Sequence, residues 1–377
     1  MAAETTTTEE LLDLPLAGLH AELGGKMVPF AGYAMPVQYA AGVMKEHLHT
    51  RAAAGLFDVS HMGQVILRGP DMTALMLAFE GLTPAAVLGL PEGRQRYGLL
   101  TNAAGGILDD LMFANRGDHL FVVVNAACKA ADIAHMRAAL PGVEVEEITD
   151  RCLLALQGPG AEAVLAKLAP EVAGMRFMDV GYVTLEGAEC WISRSGYTGE
   201  DGYEISIPND AAEAVARALL ADEAVLPIGL GARDSLRLEA GLCLYGHDID
   251  ETTSPVEAAL SWSIQKVRRR GGDREGGFPG AARILEELES GPARLRVGLA
   301  PEGRAPMREG VSLHAGGEEV GAITSGAFGP SVQAPVAMGY LPSALAAEGT
   351  MVEGALRGRL LPLKVASLPF LPAKFKR

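Results

Sequence analysis

A predicted β-hairpin between residues 97 and 113 constrains the fold more than any other segment of the chain. Residues 97–101 and 107–113 have the apolar character of strands, and the NAAGG sequence at residues 102–106 has the composition of a tight turn. So short a connection joins strands that run antiparallel. Because segments with helical apolar spacing lie between further strand-like segments, the sequence predicts an α+β fold.

The C-terminal part of the chain differs in character. From about residue 295 onwards, short strand-like segments alternate with turns rich in glycine and proline, as in a small β-barrel or sandwich. A stretch rich in glycine and arginine at residues 271–280 precedes this part and indicates a linker. A chain of 377 residues has room for two or three domains.

Two shorter segments carry local predictions. Residues 27–39 are rich in proline, glycine and aromatic residues but poor in polar ones, so we expect a loop that lies along a cleft or between domains. Asn125 follows the strand-like residues 119–124, and we expect its side chain to cap the N-terminus of a helix.

Composition argues against several classes of function. The net charge of −15 is unfavourable for a nucleic-acid-binding surface, and no apolar run is long enough to cross a membrane. Residues 1–10 lack the basic residues of a secretory or mitochondrial signal, so we expect a cytoplasmic protein. The basic run KVRRR at residues 266–270 is expected to be a solvated face, or else to dock an acidic partner.

We expect no metal site in this chain. The cysteines are isolated, without any CxxC pair, at Cys128, Cys152, Cys190 and Cys243. His47, His49 and His61 are close in sequence, but His47 and His49 do not share a helix face. No glycine-rich phosphate-binding motif opens a helix after a strand, which argues against a nucleotide site as well.

The adjacent acids Asp109 and Asp110 lie within the apolar strand of the predicted hairpin. Neighbours on a strand face opposite sides, so one acid is expected to point inward, where a carboxylate must be paired or used. Such a group could handle a proton or hold an amine. The alternative is an exposed strand end, and the local sequence does not decide which acid points inward.

Two further segments carry candidate ligand-binding residues. In SGYTGEDGYE, residues 195–204, Tyr197 and Glu204 could face a planar ring, and a carboxylate pairs well with the two parallel N–H donors of a pterin. The alternative is a polar hairpin. Arg233 and Arg237 share one helical face and could bind a ligand carboxylate, or else form a surface ion pair with Asp234 or Glu239.

Together these segments resemble the glycine cleavage T proteins. The motifs occur in the order of that family, and six in order are highly specific. They are GGKMVPFAGYAMPVQY at residues 24–39, GLFDVSHMG at 55–63, GGILDDL at 105–111, SGYTGEDGYE at 195–204, ARDSLRLEAGLCLYGHDID at 232–250 and AMGY at 337–340.

The resemblance implies a three-domain architecture around a central hole that binds tetrahydrofolate. The first α+β domain would comprise residues 1–65 and 150–235, and the second, ferredoxin-like α+β domain residues 66–149 and 236–282. The C-terminal β-barrel domain would comprise residues 283–377.

The resemblance also implies an activity. The enzyme would transfer the methylene of the aminomethyl group on the lipoyl arm of H protein to tetrahydrofolate. The products would be ammonia, 5,10-methylenetetrahydrofolate and dihydrolipoyl H protein. Within the motifs, Asp110 matches the catalytic aspartate, and the folate-binding positions are matched by Glu204, Arg233, Tyr197, Tyr97 and Asn125.

One position departs from the family. Phe375 stands where the family often has a tyrosine that contacts ligand, so the hydroxyl contact is lost.

Two rival functions remain. A folate-dependent demethylase or oxidase shares the same module but is usually fused to a flavin domain, and no dinucleotide fingerprint occurs here. A non-catalytic folate-binding regulator would carry a KGCYxGQE motif, which is absent from this sequence.

Overall fold

The computed structural model describes residues 11–377, so the predicted absence of a targeting signal in residues 1–10 lies outside the described part. Within residues 11–377 the α-helices are α1 (Ala17–Glu22), α2 (Val43–Ala52), α3 (Met72–Glu80), α4 (Lys129–Ala139), α5 (Ala161–Leu165), α6 (Asn209–Leu220), α7 (Leu230–Glu239) and α8 (Ala281–Ser290). Short 3₁₀ helices lie at Pro170–Gly174, Ser261–Ser263, Lys266–Arg268 and Ser343–Leu345.

The strands in the same range are β1 (Lys26–Phe30), β2 (Tyr33–Gln38), β3 (Ala54–Asp58), β4 (Gly63–Arg68), β5 (Arg94–Thr101), β6 (Ile107–Asn115), β7 (Leu120–Val124), β8 (Glu144–Ile148), β9 (Arg151–Gln157), β10 (Val180–Leu185), β11 (Ala188–Ser193), β12 (Gly202–Pro208), β13 (Val225–Ile228), β14 (Arg294–Pro301), β15 (Ser312–Ala315), β16 (Glu318–Gly329), β17 (Ala334–Pro342), β18 (Met351–Leu356) and β19 (Arg359–Ala366).

Apart from the pair β1–β2, these strands form two sheets and one closed barrel. The six-stranded sheet has the order β10-β11-β12-β9-β3-β13, and the five-stranded sheet has the order β5-β6-β7-β4-β8. The C-terminal strands close into a barrel with the order β14-β17-β16-β15-β18-β19. Helices pack between and around sheets whose strands are antiparallel except for the parallel pair β3–β13, so the predicted α+β class and C-terminal barrel are confirmed.

The exact domain boundaries stay a prediction. Strand β4 pairs with β7 and β8 along its whole length and therefore belongs entirely to the five-stranded sheet. The predicted division between residues 65 and 66 falls inside this strand. We propose that the first boundary lies before Gly63.

The hairpin β5–β6 forms as predicted, and its alternation separates the two adjacent acids. Leu111 and Phe113 point into the core beneath the sheet, together with Ile133 and Met136 of α4. Asp109 lies on that same face because it is two residues from Leu111. Asp110 therefore faces the opposite side, away from this core.

The predicted loop at residues 27–39 is instead the two-stranded hairpin β1–β2. Phe30 pairs with Tyr33, and Ala31 and Gly32 between them both have positive φ, of 49° and 82°, as in a tight hairpin turn. Proline argues against a central strand, but this separate pair of strands tolerates Pro29 and Pro36 since it has free edges.

The predicted helix-capping role of Asn125 is wrong. Helix α4 begins only at Lys129, with Cys128 at the N-cap position and no side-chain cap. The Asn125 side chain is used elsewhere, because its amide donates to the two acids of β6. Sequence spacing could not show this, since the contact joins residues 15 positions apart.

Candidate functional site

Asp110 is half-buried and held through both carboxylate oxygens. Its Oδ1 accepts a 2.8 Å hydrogen bond from Nδ2 of Asn125, and its Oδ2 accepts a 3.1 Å bond from the Tyr97 hydroxyl. Tyr97 lies on β5 next to the strand that carries Asp110, and Asn125 follows directly after β7. Three neighbouring strands thus fix the carboxylate in one orientation.

The environment of Asp110 favours its neutral form more than water does. Burial raises its pKa, and the charge of Asp109 raises it further, while the hydrogen bonds from Tyr97 and Asn125 oppose the rise. A carboxyl group with a raised pKa lies closer to the range in which proton exchange at neutral pH is effective. This is a chemical property expected of a reactive acid rather than of a surface one.

Asp109 is fully buried behind Asp110. Its Oδ2 accepts a 3.0 Å bond from the backbone N–H of Asn125, and its Oδ1 accepts a 2.9 Å bond from the side-chain amide. Asp132 of α4 approaches from the core side and hydrogen-bonds to Asp109. Burial raises the pKa of both groups; the charge of Asp109 raises that of Asp132 further, while the hydrogen bond from Asp132 opposes the rise at Asp109. Asp132 is therefore the member of the pair that retains a proton more readily.

An aromatic pair lies beside Asp110. The rings of Tyr97 and Trp262 are 5.1 Å apart at their centroids, and 60% of Trp262 is exposed. Burial raises the pKa of the Tyr97 hydroxyl well above its usual value, and Asp110 adds to this effect. Trp262 was missed by the sequence reasoning, and its position next to the basic run at residues 266–270 gave no sign of this contact.

Tyr197 and Arg233 form a second part of the site. The Arg233 guanidinium lies 4.8 Å from the centroid of the Tyr197 ring, and the Tyr197 hydroxyl donates to the carbonyl of Cys243. Burial raises the pKa of Tyr197, and the charge of Asp110 contributes to the rise. Tyr197 is therefore close enough to Asp110 to feel its charge. Nη1 of Arg233 is buried and has no partner among the described residues.

Glu204 lies on β12, where it pairs with Ser193 of β11. Its Oε2 accepts a 2.9 Å hydrogen bond from the Ser195 hydroxyl. Burial lowers the pKa of Arg233, and the charge of Glu204 opposes that change. The carboxylate lines a cavity between the six-stranded and five-stranded sheets, together with Met112, which is two residues from Asp110.

Several other candidates have structural roles. Arg237 is buried and pairs with Asp248 at 2.7 Å and with Asp234 at 2.8 Å, so it supports α7 rather than a ligand. Phe375 stacks on Phe177 with ring centroids 4.0 Å apart. In residues 11–377 no group of three or more His, Cys, Asp and Glu side chains has the arrangement of a metal site.

The basic run at residues 266–270 is only partly a surface patch. Arg268 is 5% exposed and its Nη1 lies 3.0 Å from Glu80, while Arg269 donates to the carbonyls of Ser261 and Ile264. Arg270 is exposed but lies 2.8 Å from Glu289. Lys266 and Arg270 therefore remain the accessible charges of this run.

The site has the polarity of a pocket for a planar, polar ring. A carboxylate acceptor, Glu204, stands on one wall, and near it lies Arg233, whose buried Nη1 has no partner within residues 11–377. A buried donor without a partner is costly, so a ligand acceptor is expected to meet it. These features fit a pterin, which presents paired N–H donors and a carbonyl acceptor.

No helix within the described residues is long and apolar enough to cross a membrane.

Residues 16–268 match the family described as the GCVT N-terminal domain, and residues 294–371 match the glycine cleavage T-protein C-terminal barrel domain. The two matches together cover most of the chain.

Individual relatives are similar over nearly their full length. The chain is 42% identical to "Aminomethyltransferase, mitochondrial" of Dictyostelium discoideum, over 99% of this chain and 95% of that protein. It is 44% identical to "Aminomethyltransferase, mitochondrial" of Homo sapiens, over 97% and 92% respectively. The crystal structure of glycine cleavage system aminomethyltransferase T from Bartonella henselae matches with a TM-score of 0.90 at 44% identity, covering 98% of this chain and 100% of that one.

Proposed function

The chain belongs to the glycine cleavage T-protein family of aminomethyltransferases, and we propose that Asp110 is the centre of its active site. The predicted family and enzyme class are confirmed by these similarities. The enzyme transfers the methylene of the aminomethyl group on the lipoyl arm of H protein to tetrahydrofolate, releasing ammonia and dihydrolipoyl H protein. The observation that supports Asp110 is its double restraint by Asn125 and Tyr97 in a partly buried site.

Tetrahydrofolate, when bound, supplies the nitrogen nucleophile that accepts the one-carbon unit. Glu204 would accept the two parallel N–H bonds at the amidine edge of the pterin, a pairing that favours a carboxylate. Arg233 and Tyr197 would hold the ligand from the opposite wall, where the buried Nη1 of Arg233 has no partner in the described part of the chain. Tyr97 and Asn125 would contact the ligand or keep Asp110 oriented towards it.

Asp110 would orient the reacting groups and stabilise positive charge that develops near them. A fixed carboxylate does this without reorganisation, since Asn125 and Tyr97 already occupy its two oxygens. The raised pKa also allows Asp110 to exchange a proton with the departing amine.

H protein would present its lipoyl arm at the entrance beside Tyr97 and Trp262, where 60% of Trp262 is exposed. Docking through residues 266–270 would depend on Lys266 and Arg270, because Arg268 is buried against Glu80.

The relatives named above are mitochondrial proteins by name, and a cytoplasmic location for this chain stays a prediction.

The decisive assay combines this protein with aminomethylated H protein and tetrahydrofolate and measures ammonia release. Turnover should require both substrates, and Asp110→Ala should nearly abolish it while tetrahydrofolate still binds in calorimetry. Asp210→Ala, at an exposed position in α6, is the matched control and should retain activity. Full activity of Asp110→Ala would remove that residue from the proposed role.

The same assay separates the rival functions. A demethylase or oxidase would act on sarcosine or dimethylglycine without H protein, and a regulator would bind folate without releasing ammonia. Turnover that depends on H protein excludes both.

A further inference from the structure

Asp109 is a buried carboxyl group directly behind the proposed catalytic acid. Its side chain is fully buried, and Nδ2 of Asn125 reaches its Oδ1 at 2.9 Å and Oδ1 of Asp110 at 2.8 Å. The two oxygens cannot be farther apart than the sum of these distances. Such a separation falls within the roughly 4–6 Å at which one charge alters the proton affinity of another group. Any charge that Asp109 carries therefore acts on Asp110.

The groups around Asp109 are arranged to stabilise an anion. Its oxygens accept bonds from the backbone N–H and the side-chain amide of Asn125, and they also accept from Asp132 and from the Cys128 thiol. About two or three donors can keep a carboxylate ionised inside a protein, because they replace the hydrogen bonds that water would provide. Asp109 is therefore equipped to hold its charge.

Asp132 has the opposite surroundings. It lies in the first turn of α4, is 3% exposed, and has a buried Oδ2 without a partner among the described residues. A carboxylate oxygen that lacks a donor is costly to ionise in the interior. Since a carboxyl group must carry a proton in order to donate to another carboxylate, the bond between the two acids assigns that proton to Asp132.

The other titratable groups that face Asp109 and Asp110 are neutral at neutral pH, because burial raises the pKa of each. They are Tyr97 of β5, Tyr197 before β12, Cys128 at the start of α4, and Cys243 and Tyr245 after α7. The nearby cations Arg233, Arg237 and Arg296 act on Tyr197 and Cys243. Asp109 is the charge that raises the pKa of Asp110.

We propose that Asp132 is a positioning residue that keeps its own proton and thereby keeps Asp109 ionised, so that the charge of Asp109 makes Asp110 a stronger proton acceptor. Asp132 acts through Asp109 and does not itself touch tetrahydrofolate or the lipoyl arm. The inference rests on the proposed role of Asp110. It extends that role to a residue of α4 that lies outside the family motifs.

The test follows kcat against pH for transfer from aminomethylated H protein to tetrahydrofolate, where activity should fall on the acid side as Asp110 is protonated. Asp132→Leu removes the donor, so Asp109 takes up a proton and its charge is lost. The acid limb should then move to lower pH by about 1 unit or more. Asp132→Asn still offers an N–H donor, and its acid limb should stay at the wild-type position.

A second variant and a control accompany this pair. Asp109→Asn removes the charge directly, so its acid limb should also move to lower pH, and it keeps the inference testable if thermal unfolding shows that Asp132→Leu is not folded. Glu147→Gln removes an exposed charge from β8 of the same sheet and should leave the limb in place.

The possible outcomes separate this inference from the proposed function. An unmoved limb in folded Asp132→Leu overturns the role of Asp132, even where kcat falls uniformly at every pH, since that pattern indicates a structural role. An unmoved limb in Asp109→Asn overturns the effect of the charge, and equal movement in Asp132→Asn and Asp132→Leu overturns the role of the donor. In each case wild-type turnover that requires H protein and tetrahydrofolate leaves the proposed function standing, whereas a wild type without such turnover overturns both.

Discussion

Nδ2 of Asn125 lies 2.8 Å from Oδ1 of Asp110, and the same amide group reaches Oδ1 of Asp109 at 2.9 Å. One neutral side chain therefore holds two adjacent carboxyl groups that face opposite sides of β6. Such an amide stabilises charge on both acids without neutralising either. The orientation of Asp110 consequently depends on Asn125 as much as on its own strand.

Replacing Asn125 by alanine should lower turnover roughly 10- to 150-fold, since a hydrogen bond to a charged group contributes roughly 1.5–3 kcal/mol. The amide stabilises ionised Asp110, so its loss should raise the pKa of Asp110 still further. If Asp110 acts as a carboxylate, activity falls as the pH drops through this pKa, and the acid limb should move to higher pH. A kcat-against-pH profile measures the shift, with the exposed Asn209→Ala as control. An unmoved limb in Asn125→Ala would show that this bond does not govern Asp110.

Replacing Glu204 by glutamine should weaken tetrahydrofolate binding about 10- to 100-fold, because the change puts an N–H donor opposite the donors of the pterin. Ser195→Ala removes the 2.9 Å bond to Glu204 but keeps the carboxylate, so a smaller loss is expected. Calorimetry with tetrahydrofolate measures both. Equal affinity for wild type and Glu204→Gln would refute the assignment of this residue to the pterin.

Much of the fold followed from the sequence because the relevant signals are local. The β5–β6 hairpin has its turn between its own strands, and the alternation within β6 correctly implied that Asp109 and Asp110 face opposite ways. The C-terminal barrel was likewise predicted from turn spacing. The β1–β2 hairpin was missed because its prolines resemble those of a loop.

The candidate site was less accessible from local patterns, since its contacts join distant segments. Local sequence did not rank the two acids, and only the family resemblance selected Asp110; in the structure Asp109 lies against α4 and Asp110 against Tyr97. Trp262 has no motif of its own. Its place beside Tyr97 depends on a contact in space, and a linear pattern does not contain that information.

The tail residue Phe375 should matter for stability rather than for folate binding. Its ring stacks on Phe177, and the backbone N–H of Phe177 donates a 2.7 Å bond to the carbonyl of Lys376. Phe375→Ala should therefore lower stability by about 1 kcal/mol, the contribution of an aromatic pair. Phe375→Tyr should leave both the unfolding temperature and tetrahydrofolate affinity near wild type. Tighter folate binding by Phe375→Tyr would instead indicate that the missing hydroxyl reaches ligand.

The last prediction concerns the buried acid Asp132, which is 3% exposed and has an unpartnered Oδ2 within the described residues. Burial raises its pKa, as do the charges of Asp109 and Asp110. A carboxyl group whose pKa is raised in the folded state contributes stability at pH values below its unfolded pKa, near 4, and that contribution is lost as the pH rises towards the folded pKa.

Asp132→Asn removes this titration and still offers an N–H donor to Asp109. The variant should therefore gain stability relative to wild type as the pH rises from 5 to 8, by up to about 4 kcal/mol, since each pH unit between the two pKa values changes the free energy of unfolding by about 1.4 kcal/mol. Asp132→Leu also removes the titration but leaves Asp109 without this donor, so it should be less stable than Asp132→Asn at every pH. Urea unfolding at several pH values measures both variants. A constant difference between wild type and Asp132→Asn from pH 5 to 8 would mean that Asp132 is already ionised in the folded protein, and that its bond to Asp109 does not hold a proton.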